Sequence, residues 1–364
     1  MTNSRSWAGY LAAAWALSYG VVAAVWAVTG DGFPYGANND DLMHPLRAVP
    51  VDTGAAVFAV VLLGAGVLAL ATASRQPARP PRPVRQAMLA LGWAVVAALV
   101  ILIPGAHILA VAGYTPMLLI GAPFGWPSEI DYGVIFNWTT ANEVWAILGG
   151  LLLARALLTW QRRTAETGPG KIPGNWVTYV AAAIPAVYAV TRLAWAAGIS
   201  LGTDIRMFED SDAALAATGL GSFALVGTWL TIGLVRPWGE RFPRWMIGLA
   251  GRRVPVWLAT VPAAAVAVAV GGASASFLSD GPMLERIADL DVAVLPMVLW
   301  PLWSVTLLLA AYAYHRRRTA PGADQAATGS AAGIDARIAS STSVADSPKV
   351  ASVKLASSTK GRSH

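Results

Sequence analysis

The sequence contains no cysteine in its 364 residues, which excludes disulfides, thiolate metal sites, iron–sulfur clusters and a cysteine nucleophile. Charge is also scarce: 13% of residues are Asp, Glu, Lys or Arg, against roughly 25% in an ordinary soluble domain. The four histidines, His44, His107, His315 and His364, are too scattered to supply paired haem ligands in facing spans. There is no HExxH. The Gly-Pro-Gly-Lys run at 168–171 resembles a phosphate loop only superficially, because Ala165 replaces the first glycine and Ile172 the Ser or Thr. Ser274 and Ser276 lie near glycines but have no nearby histidine to activate a hydroxyl. No catalytic signature, metal motif or cofactor motif remains, so no enzymatic reading is supported and no cofactor is expected.

What the sequence has in abundance is apolar length. Hydrophobic residues make up 56% of the chain, and apolar stretches of about 20 residues recur along it, each long enough to cross about 30 Å of hydrocarbon as a helix. With no water in a bilayer core, backbone N–H and C=O groups must be satisfied within helices or a closed barrel, and long continuous apolar runs exclude the barrel. The expected fold is therefore all-α, a polytopic transmembrane helix bundle in the lipid bilayer. Eight spans are expected, over residues 7–29, 53–72, 88–112, 142–160, 176–198, 213–235, 254–277 and 292–314. The first run follows Arg5 and lacks a small-residue cleavage site before the 31–50 loop, which makes it a retained span rather than a signal peptide.

The net charge of +6 would point a soluble protein towards nucleic acid, but here the arginines sit in short loops beside the spans, where they set orientation. No nucleic-acid partner is expected. Arg75, Arg79, Arg82 and Arg85 fill the second loop, Arg162, Arg163 and Lys171 the fourth, and Arg236, Arg241, Arg244, Arg252 and Arg253 the sixth. The alternate loops carry Asp31, Asp40 and Asp41, then Glu129 and Asp131, then Asp204, Glu209, Asp210 and Asp212, and finally Asp280, Glu285, Asp289 and Asp291. This alternation predicts a multi-pass cell-membrane protein with both termini in the cytoplasm. From Thr319 the composition turns to Ala, Ser, Thr and Gly, which predicts a disordered cytoplasmic tail over 319–364.

An internal duplication is also expected. Trp7, Tyr10, Ala12, Tyr19 and Trp26 fall in register with Trp176, Tyr179, Ala181, Tyr188 and Trp195. Thr53, Gly54 and Phe58 match Thr218, Gly219 and Phe223, and Trp145, Arg162, Arg163 and Thr164 match Trp300, Arg317, Arg318 and Thr319. The chain then divides into a four-span repeat over 1–164, a second over 165–318, and the tail. Four spans is an even number, so the repeats would be parallel, an arrangement that recurs in transporters with sites near the repeat interface.

Ionisable groups inside spans are expensive and are candidates for function. Arg155 is close enough to the fourth loop, at about 10 Å from Arg162 for a rise of roughly 1.5 Å per residue, to snorkel to the surface. Arg192, Glu143 and His107 fall at similar depths and form the candidate substrate-binding set. An Arg192–Glu143 pair would satisfy both charges, either as a structural ion pair or as part of a solute site. Pro104 and Gly105 loosen the helix just before His107, and Gly271 and Gly272 interrupt the duplicated half near the same position.

The outer residues Asn38, Asn39, Asp40, Asp41 and His44 read either as divalent-cation ligands or as a solvated turn. The apolar 114–141 loop lies on the outer interface or dips in as a lid. Trp7, Trp126, Trp138, Trp160, Trp176, Trp238 and Trp245 fall near span ends, where indoles anchor at the headgroup level. The sixth loop, from Arg236-Pro237-Trp238-Gly239-Glu240-Arg241-Phe242-Pro243-Arg244-Trp245 to Gly251-Arg252-Arg253-Val254-Pro255, resembles a segment of multi-span membrane proteins of high-GC actinobacteria. That family has no assigned activity, so the resemblance carries over no functional residue. The functional readings are a small-solute or lipid-handling transporter and, as the alternative, a non-catalytic scaffold or subunit for a membrane protein partner.

Overall fold

The computed structural model describes residues 7–39, 44–73, 80–107, 109, 137–164, 172–201, 206, 211–242, 244, 246 and 248–319. The chain is an all-α bundle. Its elements are α1 (Trp7–Thr29), α2 (Val51–Ala73), α3 (Arg82–Ala97, continued by a π-helical turn Ala98–Leu102), α4 (Trp138–Thr164) and α5 (Trp176–Ala196). They continue with α6 (Ser211–Gly233), α7 (Val256–Ser279), α8 (Gly281–Ala288), α9 (Leu295–Val298) and α10 (Trp300–Thr319). Six of these helices, α1 to α5 and α7, are long and apolar enough to cross a bilayer. The sixth and eighth expected spans fall on α6, whose apolar part is Ala217–Gly233, and on α10, which ends in Arg316, Arg317 and Arg318; neither is among those six.

The bundle is built inside out relative to a soluble protein. Small residues such as Ala12, Ala55, Ala146, Ala181 and Ala267 fill the interior, while Val28, Val60, Val190 and Phe223 point outward. Lipid is as apolar as leucine, so helices gain by close backbone approach and by interhelical hydrogen bonds rather than by hiding large side chains. The α1–α2 pair shows this: a Cβ on Gly9 would collide with Ala73, and one on Gly66 with Leu17. Trp160 departs from the anchoring expectation, because it is buried against the bundle, whereas Trp7, Trp138 and Trp176 are exposed.

Helix ends follow local chemistry. Gly30, at φ +78°, closes α1 with its N–H on the Trp26 carbonyl. Asp280 caps α8 by accepting from the Met283 N–H at 3.1 Å. Leu299 separates α9 from α10 just before Pro301, which cannot donate to a preceding turn. In the connection between α8 and α9, Asp291 accepts from Ala293 N–H and from Arg286, and these bonds hold its carboxyl below the usual carboxylate range.

Most of the 114–141 loop, Asp40 and Asp41 of the outer loop, and the tail beyond Thr319 lie outside the described residues. One difference from the expected spans is in α3. It begins at Arg82, earlier than expected, and its regular helix does not run through to 112 but gives way at 103–106.

Candidate functional site

The break in α3 packs against α7. Pro104 lacks an N–H, so the helix cannot propagate through it, and the chain widens first into the π turn with Ile103 N–H on the Ala98 carbonyl at 2.9 Å. Gly105 then takes φ +55°, a conformation that costs a side chain strain. Polar groups freed in this way inside a membrane must find partners.

Those partners come from distant elements. Leu46 N–H donates to His44 Nδ1 at 3.2 Å, which leaves Nε2 protonated to donate to the Ile103 carbonyl at 2.8 Å. Ala106 N–H donates to Ser276 Oγ of α7 at 2.8 Å. Gly272 of α7 lies so close to Gly105 that a Cβ there would overlap the Gly105 carbonyl oxygen. His44 is therefore buried and committed to the backbone rather than turned out towards a cation, and Asn38 donates to the Phe33 carbonyl at 3.0 Å. Among the described residues no cluster of three acidic or histidine side chains is arranged to hold a metal.

His107 stands just past the break. In its Nδ1–H tautomer it donates to Glu143 Oε2 at 3.1 Å, and Thr140 Oγ1 lies 3.5 Å from the same nitrogen. Glu143 is fully buried, whereas the His107 side chain keeps 21% of its surface exposed. Beside Glu143, Asn142 accepts from Tyr19 OH at 2.8 Å and donates to the Trp138 carbonyl at 2.8 Å. Tyr19 OH lies 3.3 Å from Tyr35 OH. Burial pushes the Tyr35 phenol well above its ordinary range, and Tyr19 and the negative charge of Glu143 push the same way. Tyr35, Tyr19 and Asn142 thus form a buried polar chain from the α1–α2 loop through α1 to α4, beside the His107–Glu143 pair.

Arg192 is not part of that chain. The expected Arg192–Glu143 pair does not form, because Glu143 is engaged by His107 and Arg192 is held by its own helix. Its guanidinium carbon lies 4.8 Å from the Tyr188 ring and 4.7 Å from the Trp195 ring, four residues before and three after it on one face of α5. The Arg192 Nε is buried and has no hydrogen-bond partner. Tyr188 in turn meets Trp300, which packs with Val270 and Ala273 against Ala106 and Leu109. The partner of Arg192, Tyr188, and the neighbour of His107, Ala106, thus pack against the same apolar cluster.

Of the expected set, His107 and Glu143 meet just beyond the Pro104–Gly105 interruption, which the sequence also marks, while Arg192 stands apart from them. Sequence reasoning missed Ser276, Asn142, Tyr19 and Tyr35, and it assigned His44 to the solvent side. Two cavities lie away from the break: one along α4 beside α1, the other between α6, α7 and the sixth loop.

Together these features define a multi-pass helical membrane protein with a polar site at an interrupted helix. The chain matches no protein-family model, no curated protein and no solved structure.

Proposed function

We propose that the protein is a transporter of a small solute, with its site at the α3 break and with His107 and Glu143 as the ionisable groups that respond to solute or proton. The observation that carries this reading is the His107–Glu143 pair at 3.1 Å immediately beyond a helix interruption. Broken helices with ionisable groups recur where transporters bind their solutes. The buried Arg192 Nε without a partner favours a solute with a carboxylate or another anionic group.

The expected 4+4 duplication is in keeping with the same reading, but α7 runs unbroken through Gly271 and Gly272, so the expected second interruption is absent, and the two places are related only by the contact of Gly272 with Gly105. In the same register Arg192 stands where the first half has Ala23. There Tyr19 and Trp26 pack edge to face at 5.8 Å, while their counterparts Tyr188 and Trp195 flank the guanidinium. The basic loops favour a topology with both termini in the cytoplasm. A scaffold subunit is the second reading, favoured by the complete burial of Glu143.

Because the chain has no cysteine, single cysteines report directly on water access. Thr140→Cys in membranes reacts with a small water-soluble methanethiosulfonate under the transport reading, while Ala146→Cys, packed between helices, stays unmodified. An unreactive Thr140→Cys would favour the scaffold. Arg192→Met complements this, since methionine keeps the packing on the two rings. A transporter variant accumulates in the membrane without flux, whereas a structural role costs folded protein.

A further inference from the structure

A second polar feature lies on the opposite face of α4. Trp145, Leu148, Leu152, Arg155, Thr159 and Arg162 recur at three- and four-residue spacing, so they share one helix face. With Trp7 and Trp15 of α1 they line an open groove of about 1050 Å³. From Trp145 to Arg163 the groove runs about 27 Å at roughly 1.5 Å per residue, close to the hydrocarbon thickness of a bilayer.

The charge in this groove is of one sign. Arg155, Arg162 and Arg163 line it, and no acidic residue does. Arg155 is exposed on the outer surface of the bundle, its guanidinium carbon 5.5 Å from the Trp7 ring centroid, and none of the three arginines is ion-paired with a carboxylate among the described residues. The ring takes up one face of the guanidinium and leaves its in-plane N–H donors available. Trp15, lining the same groove, is only 7% exposed, and its indole N–H has no acceptor. An unpaired guanidinium at this depth in hydrocarbon is costly, and a phosphate oxygen is the anion that a bilayer supplies there.

We propose that the α1–α4 groove binds one anionic phospholipid, its phosphate held by Arg155, Arg162 and Arg163 and an acyl chain lying along Leu148 and Leu152. The apolar length and the basic end match the two parts of such a lipid, and basic pockets between transmembrane helices bind acidic headgroups in this way. The site is separate from the α3 break and does not depend on transport.

The test is native mass spectrometry and thermal unfolding of the purified full chain with phosphatidylglycerol, phosphatidylcholine or inorganic phosphate. Phosphatidylglycerol is expected to remain bound through detergent exchange and raise Tm, with phosphatidylcholine at least tenfold weaker. The triple variant Arg155→Gln, Arg162→Gln, Arg163→Gln is expected to lose that preference. Leu152→Trp, which fills the groove and leaves the arginines in place, is expected to expel the lipid and serves as the decisive variant if the triple one fails to fold. Equal retention of the two lipids, or phosphatidylglycerol binding that survives Leu152→Trp, overturns the proposal. Stabilisation by inorganic phosphate equal to that by the lipid also overturns it, since the site would then hold a free anion.

Discussion

His107 Nδ1 and Glu143 Oε2 lie 3.1 Å apart although 36 residues separate them, and the contact joins the chain just past the α3 break to the first turns of α4. Glu143→Gln keeps a group that accepts from the His107 N–H but removes the charge. The variant is expected to accumulate and unfold near the parent Tm while losing at least tenfold in flux. Glu143→Leu removes the acceptor of the part-buried His107 N–H and is expected to cost about 1 kcal/mol of stability as well. Thermal unfolding in detergent, alongside uptake of a panel of labelled carboxylates into proteoliposomes, separates the two effects.

Ser276→Ala removes the acceptor of the Ala106 N–H at the break. A part-buried backbone donor left without its acceptor costs about 1–3 kcal/mol, so a lower Tm is expected, with faster amide exchange at Ala106. Ser274→Ala is the control, because its hydroxyl bonds only to the Val270 carbonyl of its own helix at 2.6 Å.

Gly272→Ala places a methyl group onto the Gly105 carbonyl. Overpacking of this kind typically costs about 1–3 kcal/mol, and here both opposing partners are backbone. Gly64→Ala, where a Cβ meets nothing within 4 Å, is expected to leave Tm unchanged.

Tyr35 carries a pH dependence whose sign follows from its raised folded pKa. Unfolded tyrosine ionises near about 10, while the buried phenol stays neutral beyond that. Its contribution to stability is therefore complete below about pH 10 and declines as pH rises above that value. Tyr35→Phe is expected to flatten the alkaline limb of the Tm–pH curve, and ultraviolet difference absorbance is expected to show one fewer late-ionising tyrosine.

Arg79→Cys, in the basic second loop, is expected to react with a membrane-impermeant maleimide only after cells are opened. Labelling in intact cells would reverse the proposed orientation.

The spans were legible because lipid imposes a simple filter, an apolar run of about 20 residues, that leaves its mark along contiguous sequence. Pro104 and Gly105 announced a weak point in α3 for equally local reasons. Trp160 looked like an interfacial anchor from its place near a span end, but only the packing of the bundle decides which side of a helix faces lipid. What could not be read is who repairs the break. His44 and Ser276 come from the α1–α2 loop and from α7, both far from α3 in sequence, and neither has a neighbour in sequence that signals the role. The Tyr19–Asn142 bond crosses 123 residues and is equally silent. Arg192 was misassigned to Glu143 because charge was matched with charge, although two aromatic rings on its own helix face lay nearer and needed no loop to be ordered.

The contact of Gly105 with Gly272 has a mechanical side. Where two backbones touch without side chains between them, there are no interlocked rotamers to undo when one turns on the other. Any rocking of the first four long helices against the rest would therefore pivot at this point, and His107, a short lever arm away, would sweep a small arc while the bundle's far ends moved most.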